Sequence, residues 1–338
     1  MPVNHSETAP VRVSVIAPVY GVESFAEKFA RSLFSQTWPH IQYIIVDDCS
    51  PDRSMRIIRR VLSDEFPYLA PRVQFIGLTV NGGVQHARLE GLRHADGDYV
   101  LQIDSDDWLE PDCVEALASK AAQTDADVVC CGWFREFSDG RSVEAIEDFP
   151  DNGPEFVGRI TSGLVKGYTW NKLVRRSLVK YDSMYIPSCH YFEDKVAIVQ
   201  AAFGARSIVT VPRPLYHYRV DRPGAVSRLR SSSSGSKRAS GLRHNRAWRL
   251  PAARNLLELY DFLAATSSDP GSNAAGILAA GGDDILLQAG WYCTRVLDRA
   301  LLRSHPAACR RLASRAPSRG SRTPLVKQLL TRLWCRFC

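Results

Sequence analysis

The sequence predicts an α/β protein in which a mostly parallel sheet is flanked by helices. Three observations lead there. Short β-branched apolar runs are uniformly hydrophobic, as strands buried on both faces are. Amphipathic stretches with a helical period lie between them. The two kinds of segment alternate, and parallel strands need such crossover connections, which are right-handed.

Residues 11–19, VRVSVIAPV, read as the first buried strand. From Ser24 the positions Phe25, Phe29 and Leu33, with Ala26, Ala30 and Phe34 beside them, recur at the helical interval. Ser24 is placed to cap that helix, and Pro39 stops it. Residues 41–46, IQYIIV, make a second buried strand that runs into the turn formers DDCSPD at 47–52. A helix over about 52–63, a strand at 73–76, a helix over about 84–95 and a strand at 98–103 repeat the unit. Ligands of such sheets bind beyond the carboxyl ends of the strands. Pro111 is read as the first-turn proline of a helix that carries Val114, Leu117, Ala118 and Ala121 on one face, and residues 127–133 as another strand. Between 139 and 190 the pattern is less regular; beyond it, 193–203 reads as helix and 207–211 as strand.

The chain of 338 residues is 45% hydrophobic, 23% charged and 9% aromatic, which suits a soluble globular protein and excludes a disordered or collagenous one. It divides into a disordered start (1–10), a folded domain (11–224), a flexible linker (225–245) around SSSSGSKRAS, and a basic extension (246–338), helical or partly disordered. Helical periodicity within the extension falls at 246–264 and 284–303. No internal repeat is visible. No apolar run of membrane-spanning length and no basic-then-apolar start are seen, and a cytoplasmic protein is the expectation. The nine cysteines, odd in number and without metal-ligand spacing, read as reduced thiols.

The net charge of +7 is unevenly spread: residues 1–224 hold 24 Lys+Arg against 30 Asp+Glu, residues 225–338 hold 19 against 6. A nucleic-acid reader carries its basic residues on the folded reading element, so nucleic acid is not the expected partner. From 303 onward Arg mixes with Leu, Trp334 and Phe337. That order suits either a peripheral contact with an anionic membrane at its cytoplasmic face or a solvated tail.

The densest chemistry is Asp104-Ser105-Asp106-Asp107-Trp108, directly after the strand YVLQI. Carboxylates crowded together repel one another unless a cation joins them, and hard oxygen ligands suit Mg²⁺ or Mn²⁺ bridging to a substrate diphosphate. The bland reading is a solvated acidic turn; the position at a strand end favours the metal, and with it a nucleotide substrate. The second constellation is Asp47-Asp48 after the second strand, with Pro18 and Tyr20 after the first. A carboxylate and an aromatic face make a nucleoside pocket, while an Asx turn and a packed tyrosine are the plainer account. Neither a GxGxxG nor a GxxxxGK[ST] loop is present.

Taken in order and spacing, VSVIAPVYGVESF, IIVDDCSPDRS, NGGVQHARLEGLRHADGDYVLQIDSDDWLEPD, WNKLVRRSL, YFEDK and PLYHYR resemble family 2 glycosyltransferases over about residues 11–220. The resemblance implies a GT-A type, Rossmann-like fold, a nucleotide-sugar donor, a divalent cation at the DxD element and a catalytic aspartate downstream. By position, Pro18, Tyr20 and Asp48, beside Asp47, resemble the base-binding residues. Asp104 would meet the ribose or donor sugar, and Asp106 the metal, with Asp107 as an alternative ligand. Asp194, next to Glu193, matches the general base that deprotonates an acceptor hydroxyl. Gly21 and Leu89 depart from the family pattern, in which asparagine is usual at both places. Asn171 and Lys172 either position acceptor or phosphates or start a helix. His217 is read as a metal or phosphate contact or as structural, and Arg88 as reaching the diphosphate or forming a surface ion pair.

The expected function is inverting, metal-dependent transfer of a sugar from a nucleotide-diphosphate donor, UDP foremost, to a glycan or lipid-linked acceptor in cell-surface polysaccharide biosynthesis. The alternatives are a catalytically silent nucleotide-sugar or glycan-binding module and a polyprenyl-phosphate sugar synthase.

Overall fold

The first apolar run forms β1 (Val13–Val19), with every residue buried. It pairs in parallel with β2 (Ile41–Asp47) on one side and β4 (Tyr99–Gln102) on the other, and β3 (Val73–Gly77) extends the sheet beyond β2. Helices α1 (Ala26–Phe34), α2 (Ser54–Glu65) and α3 (Val84–His94) make the crossovers. The computed structural model describes residues 10–179, 181–187, 192–220, 253–269, 274–282 and 285.

Two helix starts differ from expectation. Ser24 does not cap α1: Phe25 holds the cap position without a side-chain bond. The amides of Phe25 and Ala26 instead reach back to the carbonyl of Val22, whose buried side chain fixes the turn. Pro111 is not the first residue of its helix. α4 (Cys113–Thr124) begins after Asp112, whose carboxylate is turned to Arg213 at 2.8 Å rather than to the helix amides.

Beyond β4 the chain adds β5 (Trp108–Leu109), β6 (Val128–Glu136), β7 (Ser142–Ala145), α5 (Gly153–Ser162), β8 (Lys172–Arg175), α6 (Glu193–Ala202) and β9 (Ile208–Arg219). The strand order is β3-β2-β1-β4-β8-β6-β9-β5, with β7 paired to β6. The first four strands are parallel, β8 is antiparallel to both neighbours, and β6 and β9 run parallel. Asn171-Lys172 therefore leads into a strand, not a helix. The strand expected at 207–211 continues to Arg219. Its ladder to β6 jumps from Cys131↔Val211 to Gly132↔Pro214, so the interruption by Pro212 and Pro214 is absorbed in a bulge.

The sheet is covered on both sides. α1, α2 and α4 pack with Val13, Val15 and Ala17 in one apolar cluster, while Ala87 and Leu92 of α3 pack with Ile16, Ile44 and Val100 in another. A third cluster joins α5 and α6 to Leu256, Leu257, Leu259 and Leu263. Those leucines lie in a helix at 253–266, so part of the expected extension is packed into the domain. The expected linker, the basic tail and, Ile285 apart, the helix at 284–303 lie outside the described residues. Among the described residues no helix is long and apolar enough to cross a membrane.

Candidate active site

Parallel pairing aligns Val19 with Asp47 and Ile16 with Gln102, so the segments after β1, β2 and β4 open at one edge of the sheet. At that edge the carboxylates of Asp104, Asp106 and Asp107 each present an oxygen within 4.8 Å of the other two. Asp107 is 2% exposed and takes hydrogen bonds from the Arg219 amide at 2.8 Å and the Tyr216 hydroxyl at 2.9 Å. The same hydroxyl accepts from the amide of Asp104 at 3.1 Å, and Arg219 Nε donates to the carbonyl of Asp106 at 2.6 Å. Burial, then Arg88 and the neighbouring acids, sets Asp104, which rises to about 6. Burial and the carboxylates of Asp106 and Asp104 push Asp107 well up. Three converging hard-oxygen donors, with the negative charge of Asp104 and Asp107 disfavoured in place, fit a divalent cation of the Mg²⁺ or Mn²⁺ kind.

Asp194 enters from the first turn of α6, after Phe192 turns the chain at φ 62°. Arg88, on α3 and 2% exposed, stands between the two acidic groups. One terminal nitrogen donates to Asp104 Oδ1 at 2.6 Å and the other to Asp194 Oδ1, which Thr169 Oγ1 also approaches at 3.3 Å. Burial works against the guanidinium charge, but Asp194, Asp104 and Glu193 overcome it and raise its pKa. Glu193 is pushed up to about 8 by burial and by Asp194. Arg88 is thus an internal bridge between carboxylates, not a surface pair, and its terminal nitrogens are already engaged.

On the other side of the edge, Pro18 is buried at the end of β1 and Tyr20 is 50% exposed just beyond it. Asp47 Oδ1 accepts from the Ser50 amide at 2.8 Å, which is the Asx-type turn. Asp48 is buried, with its two oxygens accepting from the amides of Gly82 at 2.7 Å and Gly83 at 2.9 Å. It thereby holds the loop that opens α3 and aims Arg88. Gly83 sits at φ 84°, a conformation that glycine adopts without strain. Gly21 has φ 63°, in the left-handed region that glycine and asparagine both tolerate, and Leu89 packs beside the cluster around Ile16 and Val46.

Three expected contacts are corrected. His217 is not at the acidic cluster: its ring lies between Trp108 and Phe134, at 4.7 and 4.5 Å. Its nitrogens meet Glu136 and Glu110, each at 2.7 Å, because β9 pairs with both β5 and β6 there. Asn171 donates to the carbonyl of Cys131 at 2.9 Å and accepts from Lys172 Nζ at 2.7 Å. Lys172 Nζ also donates to the carbonyls of Tyr168 and Lys166, so both buried side chains brace the turn before β8. Thr169, Tyr216 and Arg219 each touch a carboxylate of the site; the motif PLYHYR is the one sequence signal for Tyr216 and Arg219, and Thr169 has none.

Residues 14–197 match the sequence profile Glycosyl transferase family 2. The chain is 33% identical over 223 residues to EpsH of Bacillus subtilis (strain 168), covering 64% of this chain and 63% of that protein. Over 217 residues it is 27% identical to TarS of Staphylococcus aureus (strain Mu50 / ATCC 700699), named a poly(ribitol-phosphate) beta-N-acetylglucosaminyltransferase. That match covers 63% of this chain and 36% of TarS, so the chain spans less than two thirds of either relative. The crystal structure of S. aureus TarS 1–349 in complex with UDP-GlcNAc superposes with a TM-score of 0.54, covering 88% of each chain at 22% identity. The mannosyltransferase PcManGT from Pyrobaculum calidifontis, in complex with GDP-Man and Mn²⁺, gives 0.54 over 97% of this chain and 87% of its own, at 19% identity. These two likenesses show a shared GT-A fold. With the profile spanning more than half of its residues, the chain belongs to glycosyltransferase family 2.

Proposed function

We propose that the protein is an inverting, metal-dependent glycosyltransferase that moves a hexose from a UDP-sugar to a hydroxyl of a glycan or lipid-linked acceptor in cell-surface polysaccharide synthesis. The observation that carries this reading is the linkage of a three-carboxylate cluster to Asp194 through the single guanidinium of Arg88. Cluster and base are the two halves of a displacement site. The choice of UDP rests on the TarS structure with UDP-GlcNAc, and the polysaccharide setting on the TarS name.

Asp106, flanked by Asp104 and Asp107, would hold Mg²⁺ or Mn²⁺, whose charge offsets that growing on the diphosphate leaving group. Tyr20 offers a half-exposed face to the base of the nucleotide, Pro18 backs it and Asp47 offers a carboxylate oxygen, while buried Asp48 supports the pocket by holding the amides of Gly82 and Gly83. Asp104 meets the ribose or the donor sugar. Asp194 takes the proton of the acceptor hydroxyl as that oxygen attacks the anomeric carbon; one base suffices for a single displacement. Glu193, with a pKa of about 8, keeps its proton at neutral pH and leaves the base role to its neighbour. The basic tail would bring the enzyme to the cytoplasmic face of an anionic membrane.

The test is a nucleotide-sugar panel with Mn²⁺ or Mg²⁺, scored for donor-dependent release of nucleoside diphosphate. Turnover of one donor, abolished by EDTA and by Asp106→Ala, is the expected result. Turnover that survives both treatments overturns the metal-dependent reading.

A further inference from the structure

The motifs WNK and YHYR serve the site differently from what Asn171, Lys172 and His217 first promised. All three are bonded inside the protein. Their aromatic neighbours form a connected stack. Trp170 lies parallel to Tyr168 at 4.5 Å and to Tyr216 at 4.3 Å, within 16° of each. Tyr218 stacks on the same indole at 5.4 Å and tilts against Tyr168 at 5.9 Å, while Trp133 meets Tyr168 and Trp170 edge-on. Trp170 and Tyr216 are buried, whereas Tyr168 and Tyr218 are partly exposed.

Both sides of this stack are tied to the site. The Tyr216 hydroxyl holds Asp107 and the Asp104 amide. Arg219, next to Tyr218, gives its amide to Asp107. Thr169, between Tyr168 and Trp170 in the chain, reaches Asp194. The two partly exposed rings therefore lie on the segments that position the donor-side carboxylates and the base. Both rings pack on the core through Trp170 and keep part of their surface in solvent.

We infer that Tyr168 and Tyr218, backed by Trp170, form the subsite for a pyranose ring of the acceptor. This deepens the transferase reading and rests on it. The C–H face of a pyranose is apolar and packs on aromatic faces, while its hydroxyls stay at the rim, where one of them can meet Asp194. Rings with two torsions each, already clamped by their neighbours, lose little entropy when a ligand arrives. The nearby acids disfavour a polyanionic acceptor segment at this spot and leave neutral sugar rings as the fitting class.

The test is saturation-transfer NMR on the full chain, irradiating aromatic protons, with the methyl glycosides of glucose, galactose, mannose and N-acetylglucosamine as probes, in the presence of diamagnetic Mg²⁺ and UDP. The expected result is saturation of the ring C–H protons of at least one glycoside. That signal should fall at least five-fold in Tyr168→Leu and Tyr218→Leu and be kept in the corresponding Phe variants, which retain the ring. Tyr68→Leu, at an exposed tyrosine in the segment Pro67–Arg72, should respond as the wild type. Melting curves identify any variant that has lost its fold, and the Phe variants then decide: a loss on keeping the ring overturns the inference. So does a signal that survives both Leu variants, or none with any probe. Because binding is read without turnover, a bound glycoside in a protein that consumes no donor overturns the transferase reading and leaves the platform. Donor turnover with binding indifferent to both tyrosines does the reverse.

Discussion

Arg88 and Asp194 are 106 residues apart in the chain and meet at a guanidinium that also holds Asp104. The cation is almost fully enclosed, and no described residue meets its buried Nε. Its charge is therefore shared by two carboxylates, one just after β4 and one in the first turn of α6. The bond between them keeps α3 and α6 in register across the site.

Removing that cation strands buried acid. Arg88→Ala should lower stability by about 3–5 kcal/mol, the usual cost of unpairing a buried ion. Arg88→Lys keeps the charge but loses the fork that spans two carboxylates, so it should fold and still lose about 10²-fold in kcat. Urea unfolding and steady-state kinetics on the two variants check this; equal kcat for Lys and Arg would remove the need for two-point contact.

Asp194 and Glu193 should separate sharply under isosteric change. Asp194→Asn removes the proton acceptor and should cost about 10²–10⁴ in kcat while nucleotide still binds. Glu193→Gln mimics a group that already carries its proton and should cost far less, about 3-fold. Donor turnover and isothermal titration with UDP and Mn²⁺ report the two effects; comparable losses in both variants would show that the pair acts as one unit.

The first half of the fold was legible because its signals are local. Uniform apolar runs announced β1, β2 and β4, and the acidic cluster stood at the end of one of them. What stayed hidden depends on pairing between distant segments. β8 is four residues long and reads as a helix start until its antiparallel partners β4 and β6 are known. Two prolines interrupt β9 and conceal its second half, which carries Tyr216 and Arg219 to Asp107. His217 looked like a ligand for the same reason: only the strand register shows that Glu110 and Glu136 claim both its nitrogens. Arg88 looked like a surface charge because helical periodicity does not reveal that the helix packs its middle against two acids.

Metal should act through the acidic cluster and not through the rest of the fold. Asp106→Ala should abolish Mn²⁺-dependent turnover, whereas the melting temperature of the metal-free variant should equal or exceed that of the metal-free wild type, since removing one of three crowded carboxylates relieves repulsion. Adding Mn²⁺ with UDP should raise the melting temperature of the wild type and not of the variant. Differential scanning fluorimetry with and without EDTA distinguishes these outcomes; a stabilising response kept by Asp106→Ala would move the ion elsewhere.

Glu193 gives the pH dependence of stability a definite sign. Its folded pKa, about 8, lies above the value of about 4.3 it has when unfolded, so the folded state favours the protonated acid. As pH rises through the interval between those values, the unfolded chain gives up its proton first, and the metal-free folded state loses ground. Below the interval both states are protonated and nothing is lost; above it the penalty is complete. Glu193→Gln carries no such proton. Its melting temperature should therefore match that of the wild type near pH 4.5 and exceed it by a widening margin up to pH 8, measured with EDTA present. A margin that is flat across this range would mean that burial and Asp194 do not hold the proton on Glu193, and the division of labour between the two acids would fall with it.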